Sequence, residues 1–399
     1  MTADRANLSG PLDGFRVVEV ASFISGPYAA MLLGDLGAEV IKVERPATGD
    51  PFRKWGGHGG KARPQFSAYN RGKRSLGLDF QKPGGQGVIR RLAAEADVLI
   101  ENFRPGTLDR LGIGYEDLRR VNPRLIYCSI SGMGESGPYA RRPAYDSIGL
   151  ALSGLWSRLV RLDRPQPVGP QLGDQLTSLY TVYGVLGAIV HLARTGVGQR
   201  VDTNLMLSNM AFLPEPIANY LTLGELGDID TRARRSQAYA FLGSDDRPFT
   251  IHLSSVPKFL ESLVRAVDRP ELLDDPRFAS NIDRIKNYDA LRTELQDVFG
   301  TRPRADWLDR LEQADVPAAP INTIAEAIDD PQAKHLGAVA TYGFGERAVQ
   351  LVRCPVDYSE TPAPPRLPPP DVGEHSVEIL ASLGYSDREV EALRHEDAI

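Results

Sequence analysis

From residue 15 to residue 132, short aliphatic runs alternate with stretches of helical periodicity. Residues 15–20 (Phe15-Arg16-Val17-Val18-Glu19-Val20) and 39–43 read as strands, and 27–36 between them as a helix ended by Gly37, which together make one βαβ length. The order repeats with a strand at 75–80, a helix at 84–95, a strand at 98–103, a short helical stretch to Leu118 and a strand at 125–131. Continuous apolar strands separated by helices imply a mostly parallel sheet covered on both faces. Two more helices are expected at 145–156 and 175–194; the second is largely apolar, suits a core, and stops at Thr195-Gly196-Val197-Gly198.

The texture then changes. Leu213-Pro214-Glu215-Pro216 and the polar segment 224–236 read as a way out of the first domain. Residues 238–242 and 248–253 flank Gly243-Ser244-Asp245-Asp246 as a hairpin, and helices are expected at 256–267, 283–299 and 304–314. Residues 339–352 suggest two further strands, and six prolines between Pro362 and Pro370 an extended connector. The end of the chain is helical, with Ser386 and Glu389 in capping-box spacing. The expected organisation is an α/β chain. A large Rossmann-like domain takes 1–215, a linker 216–235 and a smaller α+β domain 236–330, and the return segment 331–399 completes the large domain.

Composition narrows the class. The chain has 399 residues, 42% hydrophobic and 25% charged, which excludes wholesale disorder and a fibrous fold. A net charge of −6 gives no general attraction to nucleic acid or to an anionic membrane. The first fifteen residues carry no basic segment followed by an apolar one, and no run of 18 apolar residues occurs, so a cytoplasmic protein is expected. Only Cys128 and Cys354 are present, in no metal-ligand spacing; Cys128 reads as a buried strand residue. One asymmetry stands out: nine Lys/Arg against Glu44 and Asp50 between Lys42 and Arg74. It reads either as a solvated basic loop or as a site for a polyanionic small ligand.

Several chemistries lack their residues. Gly56-Gly57-His58-Gly59-Gly60-Lys61-Ala62 imitates a phosphate loop, but Trp55 replaces the leading glycine and Ala62 has no hydroxyl for magnesium. There is no G-x-S-x-G elbow and no H-E-x-x-H, and the six histidines are scattered, so serine hydrolase and zinc enzyme have no support. Glu44 at the end of the second strand imitates a ribose-binding acid of a nicotinamide enzyme. The turn after the first strand, however, holds one glycine where that fingerprint needs three.

Taken together, a series of segments resembles the family III coenzyme A transferases, a group that includes formyl-CoA:oxalate and carnitine CoA-transferases and the related α-methylacyl-CoA racemases. The likeness begins with Pro11-Leu12-Asp13-Gly14 and with Ser25-Gly26-Pro27 through Val40-Ile41-Lys42-Val43-Glu44. It continues in Asn70-Arg71-Gly72-Lys73-Arg74-Ser75, Glu101-Asn102-Phe103-Arg104-Pro105-Gly106, Leu172-Gly173-Asp174 and Thr195-Gly196-Val197-Gly198-Gln199-Arg200, and ends in Gly373-Glu374-His375-Ser376. The resemblance implies acyl-CoA and a small carboxylic acid as substrates, with no metal, nicotinamide or flavin. It also implies an interlocked homodimer.

By that resemblance Arg45 and Arg110 meet the nucleotide end of CoA, and Ser22, Ile24, Ser25, Leu78, Asn102 and Phe103 line its pocket. Basic residues at the mouth suit the phosphates. Asp174 is the implied nucleophile. Seen alone, an acid after glycine at the start of a long helix is a cap or first-turn residue. The family pattern makes it instead a carboxylate that stays ionised at a helix N-terminus and attacks the thioester carbonyl. Tyr145 and Asp146 match positions that support the nucleophile. In the racemases a histidine holds the Tyr145 position as one of two acid/base groups, and a tyrosine with a pKa of about 10 is a poor substitute. Pro143 and Gln81 stand where other members carry lysines, and no glycine-rich loop follows Tyr220, so oxalate and formate are doubtful substrates. An epimerase and a non-catalytic CoA-binding subunit remain as alternatives; retention of Asp174 argues against the second.

Overall fold

Six short strands form the centre of the computed structural model, which describes residues 10–56, 63–254, 258–362 and 367–399. They are β1 (Arg16–Val20), β2 (Glu39–Glu44), β3 (Lys73–Gly77), β4 (Val98–Glu101), β5 (Ile126–Ser131) and β6 (Arg200–Asn204). All pair in parallel in the order β3-β2-β1-β4-β5-β6, the order of a doubly wound sheet. β3 begins two residues earlier than its sequence pattern suggests. β6, Arg-Val-Asp-Thr-Asn, carries no apolar run that would mark it as a strand in the sequence; it adds an edge strand, where one polar face is tolerated.

Helices α1 (Ser25–Asp35), α2 (Pro64–Asn70), α3 (Pro83–Glu95), α4 (Tyr115–Val121), α5 (Asp146–Leu152), α6 (Leu172–Thr195) and α7 (Leu205–Ala211) surround this sheet. Alternation along the strands divides the core. Val17, Val40, Val98, Ile100, Ile126 and Cys128 face α1 and α6, which contribute Ala29, Leu33, Val185, Ala188 and Leu192. Val18, Ile41, Leu76, Leu99 and Tyr127 face the other way, onto α3, α4 and the C-terminal helices Ser376–Ser382 and Asp387–His395. Cys128 is fully buried, and burial pushes its thiol pKa well up, in keeping with a structural residue. The capping box of Ser386 and Glu389 forms. α6 ends at Gly196, whose left-handed backbone (φ 74°) returns its N–H to Leu192 O. By length and composition α6 could cross a membrane, yet its buried face is a wall of the sheet's core.

The chain divides into two compact units, 1–217 with 337–399, and 218–336. Within the first, Val339–Tyr342 and Val349–Val352 form an antiparallel pair. The second has its own aromatic core of Tyr239, Phe241, Phe249, Phe299 and Trp307. There the expected hairpin Ala238–Leu242 and Pro248–His252 gains a third strand, Ala318–Pro320. The segment expected as a linker is largely helical, with Pro214–Leu223 and Thr231–Ser236. Most of the glycine-rich motif, 57–62, and part of the proline connector, 363–366, lie outside the described residues.

Candidate active site

In a parallel sheet the loops leaving the carboxyl ends of the strands gather on one edge and form the usual crevice for a ligand. Two adjoining cavities occupy that edge. One, of about 340 Å³, is lined by Ser22, Ile24, Ser25, Asn102, Phe103, Arg104, Arg142, Pro143, Tyr145 and Asp174, among others. The second, of about 530 Å³, is lined by Arg45, Lys54, Gln81 and Thr107 among others. Ser22, Pro51 and Phe103 belong to both, so the two share one lip.

Asp174 stands in the first turn of α6, not at its cap. The cap comes from another helix: the Asp146 carboxylate, at the start of α5, accepts the Asp174 backbone N–H at 3.0 Å. Gly173 makes this approach possible, since a Cβ there would lie 2.8 Å from Asn209 Nδ2 and 3.0 Å from Asp146 Oδ1. Asp174 does not keep the low pKa expected of an acid at a helix N-terminus. Burial, then the neighbouring charge of Asp146, push it up to about 7. Desolvation here outweighs the helix dipole. Asp146 is itself raised by burial, against the backbone N–H groups of Asp174 and Gly173.

The loop after β1 is fixed by Asn102. Its Nδ2 donates to Ser22 O at 2.8 Å and to Ser25 Oγ at 3.3 Å, and its Oδ1 accepts the Ser22 N–H at 3.0 Å. Gly26 is needed beneath it, because a Cβ would meet Ala21 Cβ at 2.4 Å. Asn102 follows the buried Glu101, whose carboxylate accepts the Phe103 N–H at 2.7 Å and the Ser129 hydroxyl at 2.5 Å; burial raises its pKa to about 7. Tyr145 is 62% exposed and meets Phe23 edge-on, with ring centroids 5.7 Å apart.

Most of the basic side chains described between Lys42 and Arg74 form neither a ligand-binding surface nor a solvated loop. Lys42 Nζ bonds Glu19 at 2.6 Å and Asp50 at 2.9 Å, and Lys73 Nζ pairs with Glu19 at 2.6 Å; all of these groups are buried. Arg53 pairs with Glu44, Arg71 with Asp35, and Arg74 with Glu39. Glu44, the imitation ribose-binding acid, is thus an internal counter-ion. Arg45 and Lys54 are exposed on the second cavity and have no anionic partner among the described residues. Arg110 lines neither cavity, but its guanidinium donates to Thr107 Oγ1 at 3.4 Å on the rim of the second. Leu78 is wholly buried in the core and lines neither. Sequence reasoning did not pick out Arg104 and Arg142, which line the first cavity and also have no anionic partner among the described residues. An arginine one residue before Pro143, and one inside the Asn102-Phe103 motif, were the available signals.

The profile of CoA-transferase family III matches residues 12–376. The chain belongs to this family. It is 37% identical, over 82% of its length and 85% of the relative's, to the acetyl-CoA:oxalate CoA-transferase of Acetobacter aceti. To the succinate–glutarate CoA-transferase of Agrobacterium fabrum it is 35% identical, over 96% and 98% of the two chains. Among solved structures, a CAIB/BAIF family protein from Brucella suis superposes with a TM-score of 0.84 at 38% identity, covering 94% of this chain and all of that one. The protein is a CoA-transferase, an enzyme class whose substrates are CoA thioesters and carboxylic acids. Among the described residues of this CoA-transferase, no group of three His, Cys, Asp or Glu is placed to hold a metal.

Proposed function

We propose that this CoA-transferase moves coenzyme A from an acyl-CoA to a carboxylic acid through covalent intermediates on Asp174. The observation that carries the reading is the pair of joined cavities, one holding Asp174 and the other presenting Arg45 and Lys54. The phosphates of CoA take the cationic cavity, with Arg110 at its rim. The arm crosses the lip at Ser22, Pro51 and Phe103, which brings the thioester to Asp174. The carboxylate attacks the thioester carbonyl, the C–S bond breaks, and a mixed anhydride forms as CoA leaves as thiolate. The thiolate then attacks the Asp174 carbonyl, releasing the acyl group as a carboxylate and leaving an aspartyl-CoA thioester. The acceptor acid repeats the two steps in reverse, which regenerates Asp174. Asp146 fixes the first turn of α6 and Tyr145 borders the reacting group.

Arg104 and Arg142 in the Asp174 cavity favour acids with a second carboxylate, the class named in both relatives above. A second copy of the chain is proposed to cover the outer face of α6, where Leu179, Tyr183 and Val190 are 52%, 77% and 50% exposed. The test of the central reading is trapping. Wild-type enzyme given acyl-CoA and then hydroxylamine or borohydride is expected to carry a mass change on the peptide containing Asp174. An unmodified peptide during active turnover would remove Asp174 from the mechanism.

A further inference from the structure

The loop between β1 and α1 contains a backbone conformation that its residue does not favour. Phe23 has φ 66°, in the left-handed region, where glycine sits without strain and a bulky side chain is an outlier. Such a conformation persists only where the surroundings over-determine it. Here they do. The Phe23 N–H donates to Asp50 Oδ1 at 3.2 Å, and the same oxygen accepts the Phe52 N–H at 2.9 Å. Asp50 Oδ2 accepts from Lys42 Nζ at 2.9 Å, and Lys42 is held in turn by Glu19 at 2.6 Å and by Ala21 O at 3.1 Å. Glu19, Lys42 and Asp50 are all buried. Asn102 fixes both backbone groups of the preceding Ser22.

What this clamp achieves is the position of a ring. Phe23 lines the cavity that holds Asp174 and stands edge-on to Tyr145 at 5.7 Å and to Trp55 at 6.2 Å. A glycine would satisfy the turn with less strain, so the turn alone does not account for the aromatic side chain. We propose that Phe23 is a specificity-determining residue of the acyl subsite, a wall held by the Asp50–Lys42 clamp that admits compact acyl groups beside Asp174 and rejects those branched at the α-carbon. The inference rests on the Asp174-centred reading of the site.

The test compares wild type, Phe23→Gly and Phe23→Leu with acetyl-, propionyl-, butyryl- and isobutyryl-CoA as donors to one fixed acceptor acid. Calorimetric binding of free CoA is measured alongside. For Phe23→Gly the ratio of kcat/KM for isobutyryl-CoA to that for acetyl-CoA is expected to rise at least tenfold, with free CoA affinity unchanged. Phe23→Leu is expected to return part of the selectivity. A role confined to loop structure would lower kcat/KM alike for all four donors, and a ratio within twofold of wild type overturns the inference. Failure of the wild type to transfer CoA from any donor is a separate result. It overturns the underlying reading and this inference together, whereas active wild type with an unmoved ratio removes the inference alone.

Discussion

Asp174→Asn is expected to make this enzyme more stable in the same pH range where it destroys activity. The ordinary aspartate value is 3.8 and the folded protein raises Asp174 to about 7. Because the folded pKa lies above the unfolded one, the native state holds a proton that the unfolded chain has lost between these limits. Stability attributable to this group therefore falls as pH rises from about 4 to 7 and stays low above it. At about 1.4 kcal/mol per pH unit the full penalty is on the order of 4 kcal/mol. Partial exposure of the side chain reduces that figure, and the favourable position at a helix N-terminus removes a further 0.3–1 kcal/mol or so. Asparagine keeps the shape and carries no charge. Urea unfolding of both proteins at pH 5 and pH 8.5 should show the variant gaining on wild type by roughly 2 kcal/mol between the two conditions. CoA transfer by the variant, freed of any deamidated fraction, should be lower by several orders of magnitude. A stability difference that does not change with pH, or that favours wild type at pH 8.5, would refute the argument that burial and Asp146 oppose the charge on Asp174.

Three further outcomes follow from the same geometry. The acid limb of the kcat/KM profile should lie near pH 7 and move to lower pH in Asp146→Asn, which removes a like charge while leaving the larger effect of burial; a limb that stays put would show that Asp146 does not influence Asp174 in the working enzyme. Lys42→Met strands Asp50 without its buried cation and should cost roughly 3–5 kcal/mol in urea unfolding; a loss below about 1 kcal/mol would mean that the cluster is not ionised as drawn. Arg45→Ala should raise KM about tenfold for every CoA ester, with kcat less affected, since the nucleotide is common to all of them. An altered preference among acyl groups at unchanged free CoA affinity would place Arg45 elsewhere.

The parallel sheet was legible because β1, β2, β4 and β5 are short, largely apolar runs, as burial on both faces demands; β3, Lys-Arg-Ser-Leu-Gly, is less so, and its sequence pattern places its start two residues late. β6 escaped because Arg200–Asn204 is an edge strand with little apolar content, and Ala318–Pro320 because three residues ending in proline carry no period. The misreading of the basic stretch has a different origin. Counting charge along the chain cannot see that Glu19 and Lys42 are direct register partners on β1 and β2. A signal existed in two otherwise apolar strands, Arg-Val-Val-Glu-Val and Glu-Val-Ile-Lys-Val-Glu, each with an interior charge of opposite sign. A charge inside a strand buried on both faces requires a partner, and the neighbouring strand is the nearest place to find one.

Asp174 shows the same limit in energetic form. From sequence, its place at a helix start suggests an acid that remains ionised, because the dipole is a local property that a motif can carry. Desolvation and the nearness of Asp146, a residue 28 positions earlier, depend on how α5 meets α6 and outweigh it. The difference matters for the chemistry. A carboxylate with a pKa near 7 is a stronger base, and hence a stronger nucleophile toward a thioester, than one near 4, yet it still has a substantial ionised fraction at neutral pH. In the mechanism we propose, the burial that destabilises the charge in the resting protein supplies part of the reactivity of Asp174, because attack on a carbonyl turns the carboxylate into a neutral acyl group and releases that penalty.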